Sequence, residues 1–165
     1  MNIEEVYDRV GEKIYHYLII KLGSQSDAED VLQETFCRLV RYSFRLKFIR
    51  NNKAFVFKIA RNEANRFLRN DIQNRKGCQQ IAELHEIIRN SISGPDAKAE
   101  HLTAQALAQL SEDQREVVVL KIFEGLTFKE IASICNLSIN TAASRYRYGI
   151  EKLRSLMEGK NGKSE

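Results

Sequence analysis

The sequence predicts an all-α fold: two small helical domains joined by a linker, the C-terminal one a helix-turn-helix. Three observations lead there. Apolar residues recur every three or four positions along most of the chain, as they do on one face of a helix. Polar and glycine breaks, several followed by helix-start signatures, divide that pattern into segments. The chain's one proline falls in Ser91-Ile-Ser-Gly-Pro95, a clear breaker inside the stretch where the periodicity fades.

Taken in order, Ile3, Val6, Tyr7, Val10, Ile14, Tyr17 and Leu18 mark an amphipathic helix that reaches about Leu22 and is broken by Gly23-Ser24. Ser26 with Glu29 three residues on resembles a capping box. It opens a second helix that turns Val31, Leu32, Phe36, Leu39 and Val40 inward. Asn51-Asn52 suits a loop, and a third helix carries Phe55, Ile59, Ala60, Ala64, Phe67 and Leu68. These helices give a first domain over residues 1–76, small but able to share one core. Residues 77–100 read as a linker, with a short helical stretch around Ile81, Leu84, Ile87 and Ile88.

The second domain, residues 101–165, begins with a short helix on Leu102, Ala106, Leu107 and Leu110. Ser111 with Gln114 starts the next helix, which runs through Val117, Val118, Leu120 and Ile122 to a stop at Gly125. Thr127 with Glu130 forms another capping box ahead of Phe128, Ile131, Ala132 and Ile134. Cys135-Asn136-Leu137 is a tight turn in which Asn136 takes the left-handed conformation. A last helix follows from about Ser138 to Met157.

Composition narrows the function. Of 165 residues, 43% are apolar and 29% charged, as in a soluble, ordered protein. No run approaches the roughly 18 apolar residues of a membrane helix, and the acidic start is unlike a signal peptide. A cytoplasmic protein without membrane insertion is therefore expected. Cys37, Cys78 and Cys135 lie far apart in no CxxC pair, and His16, His85 and His101 lack ligand spacing, so no disulfide framework, metal or cofactor is expected. No nucleophile triad, phosphate loop, dinucleotide turn or HExxH motif appears, so nothing argues for an enzyme.

The net charge of +4 conceals an asymmetry. Residues 1–37 hold three Lys/Arg against eight acids, whereas residues 38–76 hold twelve against Glu63 and Asp71 alone. A concentrated basic segment attracts polyanions through counterion release; a merely solvated helix face usually interleaves both signs. In the same segment Tyr42, Phe44, Phe48, Phe55, Phe57 and Phe67 alternate with basic residues. Rings of this kind stack bases of single-stranded nucleic acid, at about 1–3 kcal/mol each. Phe55 and Phe67 sit on the apolar stripe and are assigned to the core, which leaves Phe44 and Phe48 as ligand candidates.

Thr127–Leu153 has helix-turn-helix proportions. At 100° per residue, Ala142, Tyr146, Gly149, Ile150 and Leu153 share one side of the last helix and face the core. Asn140, Ser144, Arg147, Tyr148 and Glu151 lie opposite, with Thr141 and Arg145 on one flank and Ala143 on the other. Short polar residues near a helix N-terminus approach base edges, and arginine reaches guanine or phosphate. Periodicity by itself fits a plain helical hairpin equally well, because capping and packing account for most of the same residues.

Three blocks carry a family resemblance. Asp27-Ala-Glu-Asp-Val-Leu-Gln-Glu-Thr-Phe-Cys-Arg-Leu39 closely resembles the region 2 signature of the extracytoplasmic-function sigma factors of bacteria. Phe57-Lys-Ile-Ala-Arg-Asn62 is similar to the later part of that region, and Leu110–Ala132 to region 4. The resemblance implies a transcription initiation factor that binds core RNA polymerase and promoter DNA, both duplex and melted. Asp30, Gln33, Glu34 and Phe36 would then meet the polymerase. Phe44, Phe48, Arg50, Asn51, Lys58, Arg61, Asn62, Asn65 and Arg66 would recognise and melt the minus-ten element. Asn140, Thr141, Ser144, Arg145, Arg147 and Tyr148 would read the minus-thirty-five element. An anti-sigma protein is a further partner the resemblance admits, and polymerase-bound factor would sit on the nucleoid. The chain departs from the family at Val40 and in Phe55-Val-Phe57, where tryptophan is usual, and at Ala142-Ala143, where Val-Lys is. The alternative reading is a stand-alone helix-turn-helix regulator, which leaves the first two blocks without a task.

Overall fold

The structure, a computed structural model, describes residues 3–42, 52–71 and 105–161. Six helices order this part of the chain: α1 (Ile3–Leu22), α2 (Gln25–Arg41), α3 (Asn52–Asp71), α4 (Glu112–Ile122), α5 (Phe128–Cys135) and α6 (Ile139–Asn161). Helices α1, α2 and α3 pack on one another as a first unit, and α4, α5 and α6 as a second. Among the described residues there is no strand. The expected linker, Leu102, Cys78, His85 and His101 lie outside the described residues.

Local chemistry sets the helix boundaries. Glu4 and Glu5 in the first turn of α1 and Lys21 in the last complement the helix dipole. Gly23 then takes φ 69°, and its N–H returns to the Ile19 carbonyl at 2.8 Å. That left-handed residue closes α1. Ser24 follows in extended backbone and caps α2 by accepting from the Asp27 N–H. The sequence had pointed to Ser26 and Glu29 for this cap. Ser24 takes the role because Gly23 reverses the chain one residue earlier, which leaves Ser26 inside the first turn.

In the second unit the expected caps form. Ser111 accepts from Gln114 N–H, and Thr127 with Glu130 makes a reciprocal capping box. Asn136 sits at φ 55°, ψ 48°, so α5 and α6 are joined by a helix-turn-helix corner. Ser138 then accepts from the Thr141 N–H at 3.0 Å and caps α6.

The two units are not independent. Helix α3 packs on α5 and α1 on α4, and the buried apolar residues of both units form one continuous cluster. Double coverage explains where the simple stripes failed. In α3, Val56, Phe57, Ile59, Ala60 and Ala64 are all buried, while Phe55 and Phe67 are only partly so. Phe57 stacks edge-on against Tyr17, with centroids 5.7 Å apart. In α4, Val117, Val118, Val119 and Leu120 are buried in succession, so no single face is apolar. Val40 and Ile122, expected inside, are 55% and 51% exposed, because α2 and α4 are at their last turns there. Tyr7 is also exposed, although the edge of its ring meets Phe36 at 4.9 Å.

Gly149 allows α6 to approach α4. A Cβ there would lie 2.8 Å from Val118 Cγ2 and 3.6 Å from Gln114 Cβ. Val118 is fully buried and, being β-branched in a helix, has one strongly preferred rotamer. Gly149→Ala is therefore expected to lose stability: overpacking costs about 1–3 kcal/mol against about 1 kcal/mol of helix propensity recovered. A lowered urea midpoint, restored in part by Val118→Ala, is the expected outcome; an unchanged or raised midpoint would refute the close contact.

Candidate nucleic-acid interface

Helix α6 presents the face read from the sequence. Ala142 and Gly149 are buried, and Tyr146, Ile150 and Leu153 pack partly against the core. Asn140, Thr141, Arg147 and Tyr148 are exposed, and Ser144 is half-buried. The Arg147 guanidinium lies over the Tyr148 ring at 5.0 Å, a cation–π contact that braces the arginine on the outer face. The Thr141 hydroxyl is 2.8 Å from that of Ser138, so it is shared with the cap. Arg145 turns away from its neighbours, pairing with Asp113 at the start of α4 at 2.7 Å.

Helix α3 carries the basic face. Lys58, Asn62, Asn65 and Arg69 fall within about 60° of one another at 100° per residue, and Arg66 flanks them. Asn62, Arg66 and Arg69 are exposed; Lys58 and Asn65 are half-buried. Arg66 leans on acids of its own unit, 2.9 Å from Glu63 Oε2 and 3.5 Å from Glu34 Oε1. Glu63 is buried and is held from α2 as well, where Arg38 approaches Oε1 to 2.7 Å. Phe44, Phe48, Arg50 and Asn51 lie outside the described residues. Phe57, read as part of the basic-aromatic pattern, is core.

The outer side of α2 exposes Asp30, Gln33 and Glu34. Gln33 and the half-buried Phe36 line an open groove with Tyr7, Leu32, Cys37 and Val40. An acidic helix edge thus borders a largely apolar groove formed by α1 and α2.

Arg61 is not on the open face. It reaches across to Glu116 of α4, Nε donating to Oε1 at 3.0 Å and Nη2 to Oε2 at 3.1 Å, a bidentate pair. Tyr17 donates its hydroxyl to the same carboxylate at 2.7 Å, and Lys21 Nζ lies 3.0 Å from Oε1. The Cys135 thiol is 3.7 Å from Oε2. Burial alone would raise the Glu116 carboxyl; the Lys21 and Arg61 charges outweigh it and hold the group below the ordinary carboxylate value. Burial and the facing carboxylate drive the Cys135 thiol up to about 12 and Tyr17 well above its ordinary value, so neither ionises.

Sequence reasoning did not single out Glu116, Lys21 or Tyr17. One signal was available: Lys21 interrupts Tyr17-Leu-Ile-Ile-Lys-Leu22, and Glu116 precedes Val-Val-Val-Leu120. A charge within an apolar run needs a buried partner. Which partner it finds is not written locally.

A second contact between the units lies at the other end of α4. Lys53 donates to the backbone carbonyl of Glu124, whose side chain is itself buried. Burial raises the Glu124 carboxyl to about 7 despite the nearby Lys53 and Lys13. Between the ordinary value of 4.5 and about 7 the folded chain therefore holds a proton that the unfolded chain has released. This contribution to stability is complete at low pH and is lost as pH rises through that window. Glu124→Gln is expected to remove that slope and to be more stable than the parent at pH 8, as read from denaturation midpoints across the range. Parallel pH profiles for the two proteins would contradict the assignment.

Among the described residues no group of three or more His, Cys, Asp or Glu is placed to hold a metal ion, and no helix is long and apolar enough to cross a membrane. Cys37 and Cys135 are free thiols.

With this geometry in place, comparison with known proteins is informative. The chain matches sigma-70 region 2 over residues 3–73 and sigma-70 region 4 over residues 101–153. It is 29% identical to the RNA polymerase sigma factor CarQ of Myxococcus xanthus, with 93% of this chain and 88% of that protein aligned. It is 24% identical to the ECF RNA polymerase sigma factor SigW of Bacillus subtilis, over 91% and 86% of the two chains. Its fold is similar to that of the sigma factor RpoE solved with the anti-sigma factor NepR from Bartonella quintana, with a TM-score of 0.75, 21% identity, and 94% and 96% of the two chains covered. Two regions in the family's order, with relatives aligned along nearly the whole chain, establish that the chain belongs to the extracytoplasmic-function family of bacterial RNA polymerase sigma factors.

Proposed function

We propose a division of the promoter-directing task among three helices of this chain. As a sigma factor, it is a transcription initiation factor that binds core RNA polymerase and directs it to promoters. The outer side of α2, with Asp30, Gln33 and Glu34 beside the groove that Phe36 lines, docks on the polymerase. The face of α3 with Lys58, Asn62, Asn65 and Arg66, joined by Arg61 and by Phe44, Phe48, Arg50 and Asn51, takes the minus-ten strand. The outer face of α6, with Asn140, Thr141, Ser144, Arg147 and Tyr148 and with Arg145 at its flank, reads the minus-thirty-five duplex. In domain terms, residues 1–76 act on polymerase and melted DNA, residues 101–165 on the upstream duplex, and residues 77–100 join them.

The observation that carries this reading is the separation of the faces. The acidic edge of α2, the basic stripe of α3 and the exposed α6 residues point to three different ligands. The protein works without catalysis of its own, in the cytoplasm, and on the nucleoid when polymerase-bound. An anti-sigma protein is proposed as its regulator, by likeness to a fold-neighbour solved with one.

Run-off transcription tests the reading. Purified core polymerase from the source organism is expected to give a specific transcript from this gene's own upstream region only when the protein is added. Core polymerase that neither binds the protein nor gains promoter-specific initiation would overturn it.

A further inference from the structure

We propose that Arg38 and Arg66, brought side by side by the buried carboxylate of Glu63, form a two-arginine clamp for a backbone phosphate of single-stranded DNA, with Glu63 as its positioning residue. This clamp rests on the minus-ten reading of α3 and deepens it: α2 gains a contact, and an acid beneath a basic face gains a task.

Glu63 is out of place by charge. Residues 38–76 hold twelve Lys/Arg against Glu63 and Asp71 alone, and Glu63 is buried, at 3% exposure, where α3 meets α2. A carboxylate near a strand repels phosphate, so a DNA-binding face is expected to exclude one. An apolar side chain at this position would join α2 to α3 without desolvating a charge. A buried ion pair only roughly repays its own desolvation, so stability does not explain the residue. Its partners do.

Each oxygen of Glu63 faces a different arginine. Arg38 Nη1 lies 2.7 Å from Oε1, and Arg66 Nη2 lies 2.9 Å from Oε2. The two arginines come from different helices, and guanidinium groups this near would repel and splay without an anion between them. The carboxylate takes only part of each planar fork. The rest stays open, for the two side chains are 34% and 49% exposed. Glu63 Oε2 makes no hydrogen bond, so Arg66 faces it as a charge without committing an aligned N–H. Arg66 also donates to Glu34 Oε1, but at 3.5 Å and between exposed side chains. Donors held this weakly turn readily to a phosphate, which suits the guanidinium fork as a carboxylate does.

The position agrees with the chemistry. At 100° per residue Arg66 borders the stripe of Lys58, Asn62, Asn65 and Arg69, on the side of Glu63. Arg38 continues that stripe across the helix boundary onto α2. Arginines fixed by a buried partner lose less freedom on binding than free ones, so the clamp is preorganised. Both are already open in this arrangement of the helices, and the contact needs no rearrangement.

Binding of the full chain to a fluorescent single-stranded oligothymidylate, followed by anisotropy over a salt series, tests the clamp without polymerase. Arg38→Gln and Arg66→Gln are each expected to weaken binding and to reduce the salt slope by about 0.7, the value of one phosphate contact on a single strand. Glu63→Gln makes the chain more positive, so charge alone would tighten binding. It is expected instead to weaken binding by at least about twofold, the lower end of couplings within one network. Added to the Arg38→Gln, Arg66→Gln double variant, it is expected to have no further effect. A mere brace between helices would move the urea midpoint and leave the salt slope unchanged. Should Glu63→Gln fail to fold by circular dichroism, Arg38→Lys, which keeps the charge and loses the fork, is expected to weaken binding; unchanged affinity there would count against the clamp. Tighter binding by Glu63→Gln, a parental salt slope in Arg38→Gln, or a parent that does not bind the oligonucleotide at low salt would each overturn it. A flat response of these variants beside a protein-dependent run-off transcript would remove the clamp and leave the promoter reading standing. The expected losses beside core polymerase that gains no promoter-specific initiation would remove that reading and leave a phosphate clamp.

Discussion

Replacing Phe57 by alanine is expected to lower stability by about 3–5 kcal/mol, the usual loss for a fully buried phenylalanine. For a chain of this size that is a drop in melting temperature of roughly 6–20 °C. The ring has no exposed surface, and its edge-on partner Tyr17 is the residue whose hydroxyl reaches Glu116. Loss of Phe57 therefore leaves a cavity and also frees Tyr17 to tilt, which weakens the contact between the units as well as the first core. Val40→Ala is the control. Val40 is more than half exposed, and truncating it should fall within about 0.5 kcal/mol of the parent. Thermal and urea unfolding of both variants measure this directly. Near-equal midpoints would mean that Phe57 is a surface ring available for base stacking.

Arg147→Ala is expected to weaken binding to the preferred upstream duplex by about 1–3 kcal/mol, or roughly 5- to 150-fold. Arg147 is exposed on the outer face of α6, and the Tyr148 ring 5.0 Å away restricts where its guanidinium can go. A braced arginine loses less freedom on binding, so its contact is worth more. Tyr148→Ala is expected to cost less, and to add little once Arg147 is gone, because its contribution passes through the arginine. Fluorescence anisotropy with the preferred site and a scrambled duplex separates base reading from charge. Base reading gives a loss confined to the preferred site; phosphate contact gives the same loss on both and reduces the salt slope by about 1. Unchanged affinity on both duplexes would remove Arg147 from the interface.

Much of this molecule was legible in the linear pattern. The Thr127–Glu130 box, the Asn136 turn and the Ser111 cap are local events, decided by side chains three residues from the backbone groups they satisfy, and each forms as read. The inward and outward sides of α6 were also legible, because one face of that helix packs on its own unit and the other meets solvent. The resemblance of Asp27–Leu39 and Leu110–Ala132 to sigma regions 2 and 4 was likewise carried by short contiguous blocks. Reading failed where one helix has two neighbours. A period of 3.6 identifies one apolar stripe, but α3 is covered by its own unit and by α5, so Val56 and Phe57 are buried off the expected stripe.

The sequence by itself therefore determined the helices, the N-caps of α4 and α5, the helix-turn-helix corner, the basic segment and the family. Only the tertiary structure decided which charges are spent internally. Tyr17 and Glu116 are 99 positions apart, and Arg61 and Glu116 are 55 apart. No local pattern specifies such pairs: they exist because packing α1 and α3 against the second unit buries a carboxylate, and a buried carboxylate requires donors from whichever helix faces it. Arg61 reads as one more basic residue of a DNA-binding helix until that packing supplies its counterion.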